Sequence, residues 1–155
     1  MKRMILCSAI ILGVILWVLP ACAGQPDNYW TKFGVGSWVL SEMQGGMQQK
    51  QTLIQKSPSE FTLRIEMIMN GKVINTTDTK IPLKSGTATS GKEVKVKEYP
   101  DSYLVKAKKL ACRVYETGTP QGVSKSWVCD KVPGGSVKQV IGNNETLKVI
   151  DFEAK

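Results

Sequence analysis

The sequence contains no histidine among its 155 residues, and this absence excludes several kinds of chemistry. Catalysis with histidine as the base, zinc sites with histidine ligands and haem with a proximal histidine all need that side chain. The 13 acidic residues are scattered singly, without the carboxylate pair of a glycosidase or the ligand pattern of a calcium loop. The glycines form no phosphate-binding or dinucleotide-binding motif. We therefore expect a protein without enzymatic activity, cofactor or metal.

The longest apolar run lies near residue 1 and has the form of an export signal. Two basic residues precede the run Ile5–Leu19, and Ala21-Cys22-Ala23 has the small residues that signal peptidase reads. The run is shorter than the roughly 20 residues that a membrane-spanning helix needs. We predict a signal helix over residues 1–23 that is removed on export. The remaining residues 24–155 are predicted to form a single domain in the periplasm or cell envelope.

Cys22 leaves a second processing outcome open. Leu19-Pro20-Ala21-Cys22 resembles a lipoprotein signal, in which Cys22 would carry the lipid and become the first residue. Such a protein would be an outer-membrane lipoprotein, anchored to the membrane surface by its acyl chains. Pro20 stands where these signals have a small or aliphatic residue, so we favour simple cleavage after Ala23.

Removal of the signal leaves two cysteines and a net charge of +6, from 19 basic and 13 acidic residues. In an oxidising compartment, two cysteines indicate one disulfide. A turn-rich segment centred on Pro120–Gln121 separates two strand-like runs, and a hairpin about that centre places Val114 opposite Trp127. The same register sets Cys112 opposite Cys129, within bridging range if the pair is not hydrogen-bonded. We predict this disulfide, with two buried free thiols as the alternative.

The segment Phe61–Met69 shows the clearest strand pattern in the chain. Every second residue from Phe61 onwards is apolar, as in a strand with one face on a core. Asn70-Gly71 follows directly and is a preferred pair for a type I′ turn, because both central residues need a positive φ. The sequence therefore predicts that Lys72–Thr77 returns antiparallel to this strand.

The rest of the domain consists of further short strand-like runs between turn residues. We predict a turn at Tyr99-Pro100-Asp101-Ser102, and a bulge or tight turn at Ala107-Lys108-Lys109, where the apolar alternation slips. Residues 29–33 fit a brief helical turn or an extended aromatic segment. About eight to ten strands of this kind are typical of an all-β, antiparallel meander, strongly curved or partly closed as a half-barrel. Other predicted strands cover residues 37–43, 48–56, 81–84, 94–97, 103–115, 124–129, 137–141 and 146–152.

One apolar face is a candidate ligand site. Methionine-rich surfaces adapt to varied ligands, and a curved sheet with such a face could hold an acyl chain in its concavity. The alternative is that the same side chains form an ordinary packed core. The candidate binding residues are Trp38, Phe61, Leu63, Ile65, Met67 and Met69.

Lysine is abundant, and two interpretations of it compete. A lysine patch would attract an anionic membrane surface, whereas lysines on the solvent side of strands protect sheet edges from pairing. Lys95 and Lys97 alternate with valines, which favours the second interpretation. Only two arginines remain after the signal, so we expect no nucleic-acid partner.

Two stretches resemble a group of small, exported, largely uncharacterised bacterial proteins. Those proteins pair an early Val-Gly-Ser-Trp-Val with a late Trp-x-x-Asp-x-Val-Pro-Gly-Gly, here residues 35–39 and 127–135. The group tends to have a cysteine at the position of Cys112 but a serine at that of Cys129, which implies that the disulfide is particular to this chain. More remotely, the run of hairpins resembles the half-barrels of periplasmic lipoprotein carriers. That resemblance implies the handling of lipids or other hydrophobic ligands.

Two hypotheses of function follow from these observations. The first is an exported, non-enzymatic envelope protein that binds a hydrophobic or lipid-like ligand in a curved β-sheet. The second is a structural or protein-interaction module of the cell envelope without a small-molecule ligand. The sequence leaves the oligomeric state open.

Overall fold

The structure, a computed structural model, describes residues 29–83, 95–120 and 122–155. These residues form one antiparallel sheet of nine strands, preceded by a short 3₁₀ helix at Tyr29–Lys32. The predicted signal helix, including Cys22, lies outside the described residues. The strands are β1 (Trp38–Met43), β2 (Gln48–Lys56), β3 (Glu60–Met69), β4 (Lys72–Pro82), β5 (Val96–Val105), β6 (Lys108–Thr119), β7 (Gly122–Val128), β8 (Ser136–Ile141) and β9 (Asn144–Glu153).

The sheet consists of two meanders joined at a single seam. Its strand order is β4-β3-β2-β1-β9-β8-β7-β6-β5, so β1 pairs with β9 in the middle. The strands β4 and β5 follow each other along the chain, yet they form the two opposite edges of the sheet. The prediction of an all-β antiparallel meander is confirmed, and the sheet is not closed.

The hairpin of β3 and β4 turns at the predicted position. Asn70 and Gly71 have φ values of 51° and 73°, as a type I′ turn requires, and Met69 pairs with Lys72 across the turn. The returning strand continues without a break to Pro82. The strands predicted separately from residues 72 and 81 are therefore one strand.

The turn predicted at Tyr99–Ser102 is wrong, because these residues lie in the middle of β5. Pro100 pairs with Arg113 of β6 in a continuous ladder. Proline is tolerated there because β5 is an edge strand, which offers one side of its backbone to solvent. The tight turn predicted at Ala107-Lys108-Lys109 lies slightly earlier: β5 ends at Val105, β6 begins at Lys108, and Lys106 in the turn has a φ of 52°.

One hydrophobic core contains residues from both meanders. The hydroxyl of Tyr103 on β5 lies 3.4 Å from the carbonyl oxygen of Val149 on β9, although three strands separate β5 from β9 in the sheet. Lys106 Nζ, in the turn after β5, lies 2.7 Å from Asp151 Oδ2. The sheet therefore bends back over its own face in this half. The buried core residues are Trp30, Val39, Leu53, Phe61, Leu63, Val105, Leu110, Cys112, Cys129, Val132, Val137 and Val149.

Candidate ligand-binding face

The predicted apolar stripe on β3 is buried at one end and open at the other. Phe61 and Leu63 are only 1% and 3% exposed and belong to the core. Ile65 packs against that core as a partly buried side chain, and Met67 is also partly buried. Met69, beside the turn, is 47% exposed. The packed-core interpretation therefore describes the first part of the stripe, and the later part is accessible to a ligand.

Trp38 does not lie on this stripe. Paired residues in a sheet share a face, and Ile65 pairs with Gln51, which pairs with Val39. Trp38 precedes Val39, so its side chain points to the opposite face. There its indole nitrogen donates a hydrogen bond to Glu153 at 2.9 Å, and the Lys50 ammonium lies 5.0 Å from the ring centre.

The face of β1–β4 that contains the stripe carries no charged side chain from Leu63 to the β3–β4 turn, where Lys72 pairs with Met69. We call this surface the inner face. Half of its members are apolar, and the others carry a hydroxyl or an amide. The inner face comprises Val39, Ser41, Gln49, Gln51, Leu53, Leu63, Ile65, Met67, Met69, Asn75, Thr77 and Thr79.

Amide side chains of the inner face bind one another and the methionine sulfur. Gln51 Nε2 donates to Gln49 Oε1 at 2.8 Å. Gln49 Nε2 in turn lies 3.6 Å from Met67 Sδ. The polar groups nearest the open part of the stripe are thus partly satisfied without any ion, and the surface remains uncharged.

The opposite side of the same strands, the outer face, is strongly charged. Arg64 binds Asp78 with two hydrogen bonds of 2.9 and 3.0 Å, and this contact lowers the pKa of the Asp78 carboxyl. On the neighbouring strands, Lys148 Nζ lies 3.0 Å from Glu42 Oε1. Exposed pairs of this kind add little to stability, so their main consequence is a polar, hydrated surface. The two faces of one four-stranded meander therefore differ sharply in charge.

Two depressions in the described residues lie away from the apolar part of the inner face. Their volumes are about 260 and 230 Å³. The first lies around the loop between β1 and β2, and the second lies beside Cys112 and Tyr29. Neither is lined by Ile65, Met67 or Met69.

The two cysteines of the domain are placed as predicted. Val114 pairs with Trp127, and the sulfur atoms of Cys112 and Cys129 lie at disulfide distance with Cα atoms 4.4 Å apart. That Cα separation is typical of a non-hydrogen-bonded pair. The backbone N–H of Cys129 accordingly donates to Gly135 and not to β6.

Trp127 makes the same kinds of contact as Trp38. Its indole nitrogen donates to Asp101 Oδ2 at 2.8 Å, and the Lys138 ammonium lies 5.1 Å from the ring centre. The indole hydrogen bond, assisted by the backbone N–H of Ser102, lowers the pKa of Asp101. Each of these tryptophans is thus held between a lysine and a carboxylate, which indicates a positioning role in the sheet.

The late motif of the sequence resemblance, residues 127–135, contacts the 3₁₀ helix at Tyr29–Lys32. Gly134 and Gly135 have φ values of 78° and 75°. A Cβ atom at Gly134 would lie 3.1 Å from the Trp30 indole nitrogen, and one at Gly135 would lie 2.5 Å from the Tyr29 ring. Glycine is needed at both positions because the conformation and the aromatic contacts leave no room for a side chain. The sequence motifs alone did not reveal this contact.

Other members of the inner face were also missed by sequence reasoning. Gln49, Gln51 and Thr77 join Ile65 and Met67 only through the strand register. The Asn70-Gly71 turn alone would set Thr76 opposite Ile65, because Met69 pairs with Lys72; the β-bulge at Ile74 shifts the register by one residue and brings Thr77 there instead. Ser57-Pro58-Ser59-Glu60 is a turn signal between β2 and β3, but a β-bulge between Leu53 and Gln55 shifts the register beyond it.

The comparisons with known proteins identify no relative: no family model, curated protein or solved structure matches the chain. Within residues 29–83, 95–120 and 122–155, no helix has the length and hydrophobicity to cross a membrane. The same part of the chain has no cluster of three or more acidic or cysteine side chains arranged for a metal ion.

Proposed function

We propose that this chain is an exported, non-enzymatic envelope protein that holds a hydrophobic or lipid-like ligand against the inner face, in the concavity of a curved half-barrel. The observation that carries the proposal is the contrast between the two faces of β1–β4. An uncharged surface, half apolar, suits an acyl chain, whereas a charged surface of paired lysines, arginines and carboxylates does not.

The gradient of burial along β3 supports the same function. Ile65 is anchored on the core, and Met67 and Met69 follow it on one face with increasing exposure. Methionine side chains are flexible and polarisable, so they adapt to an extended chain of varied structure. A ligand lying along this row would bury apolar surface that the protein alone leaves in water.

A matched pair of variants tests the proposal. Thr76 and Thr77 are adjacent, exposed residues of β4, but Thr77 pairs with Ile65 on the inner face and Thr76 pairs with Glu66 on the outer face. We expect Thr77→Lys to weaken the binding of a fluorescent palmitate by at least about tenfold, because it places an ammonium on the apolar path. Thr76→Lys should bind like the parent, since its charge lies on the other side.

Two results would contradict the proposal: equal affinities for the two variants, or no palmitate binding by the parent protein. Mass spectrometry of protein exported by a bacterial host gives an independent readout. A co-purified lipid should appear as an added mass under gentle ionisation and disappear on denaturation. The same spectrum of the denatured chain identifies its first residue, and thus tests the export and lipidation predictions.

A second function, a protein-interaction module without a ligand, is favoured by the edge strand β4. Nearly all its side chains are exposed, and its one proline, Pro82, is its last residue, whereas the other edge strand has Pro100 within it. An edge without an interior proline accepts an added strand more readily. A complex whose partner protects the β4 amides from hydrogen exchange, in protein that binds no palmitate, would favour this function.

A further inference from the structure

The tip of the β3–β4 hairpin is unusually apolar for a solvent-exposed turn. We call residues 68–75 the tip segment, and Lys72 is its only charged residue. Met69 is 47% exposed, and Val73 and Ile74 are each 54% exposed. Scattered exposed apolar side chains are common on proteins, but a cluster within six positions at an exposed turn indicates an interaction site.

These apolar side chains lie on both faces of the hairpin. Met69 belongs to the inner face, whereas Val73 pairs with Ile68 on the outer face. Ile74 is the extra residue of a β-bulge, because Ile68 pairs with Val73 while Met67 pairs with Asn75. A flat protein surface would cover only one side of such a hairpin. A fluid apolar medium would cover both.

We propose that the tip segment docks into the interfacial region of a lipid bilayer. The proposal rests on the proposed function, because the inner face runs without charge from Leu63 to this tip and would open directly onto the membrane. A lipid-like ligand could then pass between the bilayer and the inner face without crossing a charged surface. The bilayer that contacts the tip segment is thus the source or the destination of the ligand.

The charges near the tip support an anionic or zwitterionic lipid surface as the partner. Lys72 lies beside the turn, where its ammonium can reach lipid phosphates while its carbon chain stays among apolar groups. The nearest acidic residues, Glu66 and Asp78, lie beyond the ends of the tip segment. The first negative charge therefore stands well back from the surface that would meet the lipid.

The dimensions of the tip suit shallow insertion. Strands rise about 3.3 Å per residue, so Ile74 lies roughly 10 Å from the end of the turn. Interfacial elements enter the boundary between head groups and acyl chains by about 5–10 Å. Deeper insertion is unfavourable because β4 is an edge strand, and its outward N–H and C=O groups would lose water.

Flotation of the full exported protein with lipid vesicles tests the proposal. Vesicles of phosphatidylcholine with phosphatidylglycerol should carry the parent protein, and the double variant Val73→Ser/Ile74→Ser should bind at least about tenfold more weakly. Leu104→Ser is the matched control, because it removes an exposed apolar side chain from β5, outside the tip, and should bind like the parent. Lys72→Gln should weaken binding to these vesicles by a few fold, and binding to pure phosphatidylcholine much less.

The proposal is overturned if the parent protein does not float, or if the double variant floats as well as the parent. It is also overturned if the parent is a dimer in solution and the double variant a monomer, because a second copy would then cover the tip. Palmitate binding, measured in parallel, separates this proposal from the proposed function. Thr77→Lys should weaken palmitate binding and leave vesicle binding unchanged, whereas Val73→Ser/Ile74→Ser should weaken vesicle binding and leave palmitate binding unchanged.

Discussion

The hairpins β3–β4 and β6–β7 are both long, but they are stabilised very differently. The β6–β7 hairpin contains the cysteine pair Cys112–Cys129 and the fully buried Val114. The β3–β4 hairpin is anchored in the core through Phe61 and Leu63, at the end of β3 far from the turn. Beyond them its side chains are increasingly exposed, and almost all of β4 faces solvent.

This difference separates a structural part of the sheet from a part that is free to bind. A hairpin that is packed and cross-linked contributes to the stability of the whole domain. A hairpin that is anchored at only one end can change partners at the other end without unfolding the core. Residues near the base of β3–β4 should therefore govern stability, and residues near its tip should govern binding.

The largest expected effect is a difference in the free energy of unfolding between variants at the two ends of the apolar stripe on β3. Phe61→Ala should lower the free energy of unfolding by about 3–5 kcal/mol, because it empties a fully buried site. Met69→Ala, on the same face of the same strand, should change it by no more than about 0.5 kcal/mol. Urea unfolding followed by tryptophan fluorescence measures both values. Similar losses for the two variants would show that the tip packs as tightly as the base.

The cysteine pair should produce the next largest effect. Cys112→Ala/Cys129→Ala should lower the free energy of unfolding by about 3 kcal/mol, since the bridge closes a loop across 17 positions of the chain. Reduced parent protein should then unfold at nearly the same urea concentration as the double variant. Two reactive thiols in the denatured, unreduced parent would refute the disulfide.

The turn of the β3–β4 hairpin should have a smaller effect. Gly71 has a φ of 73°, so Gly71→Ala should cost about 1–2 kcal/mol through backbone strain. Gly118→Ala is the matched control, because a Cβ atom there meets nothing within 4 Å and the φ is not in the left-handed region. The control should be neutral or stabilising by a few tenths of a kcal/mol. Equal destabilisation by both variants would contradict the turn geometry.

The smallest expected effect is on the stability of the fold at low pH, to which a carboxyl on each edge strand contributes. The pKa of Asp78 on β4 is lowered by Arg64, and that of Asp101 on β5 by the Trp127 indole. A lowered carboxyl pKa stabilises the fold above the unfolded value of about 3.9, and this stability is lost as pH falls through the folded pKa. Asp101→Asn should therefore flatten the fall of the urea midpoint in this acidic range. An unchanged pH profile would contradict the role of the Trp127 contact.

The parts of the fold that were predictable from the sequence are those where a turn determines the register. A type I′ turn requires positive φ at both central positions, and Asn70 and Gly71 readily adopt it. This local preference predicted where β3 ends and β4 begins. The turn before β7 likewise placed Val114 opposite Trp127. The same register placed Cys112 opposite Cys129. Alternation along Phe61–Met69 then identified the apolar side of the strand.

Features that depend on the position of a strand in the sheet were not predictable in this way. Tyr99–Ser102 resembles a turn, but an edge strand accommodates Pro100, and nothing local identifies an edge. Trp38 is near the apolar stripe along the chain but lies on the other face, because the pairing of β1 with β2 decides its side. Several β-bulges also shift the register, as between Met67 and Ile68, and alternation alone does not locate them.

The seam between β1 and β9 has a consequence for how the chain folds. Each meander can form through pairings between successive strands, but Trp38 and Glu153 at the seam are 115 positions apart. Closing so long a loop costs entropy before the new contacts repay it, so this pairing should form late and limit the folding rate. Until then, β1 and β9 are both unprotected edges. A host that makes this protein rapidly should therefore lose some of it to aggregation at that seam.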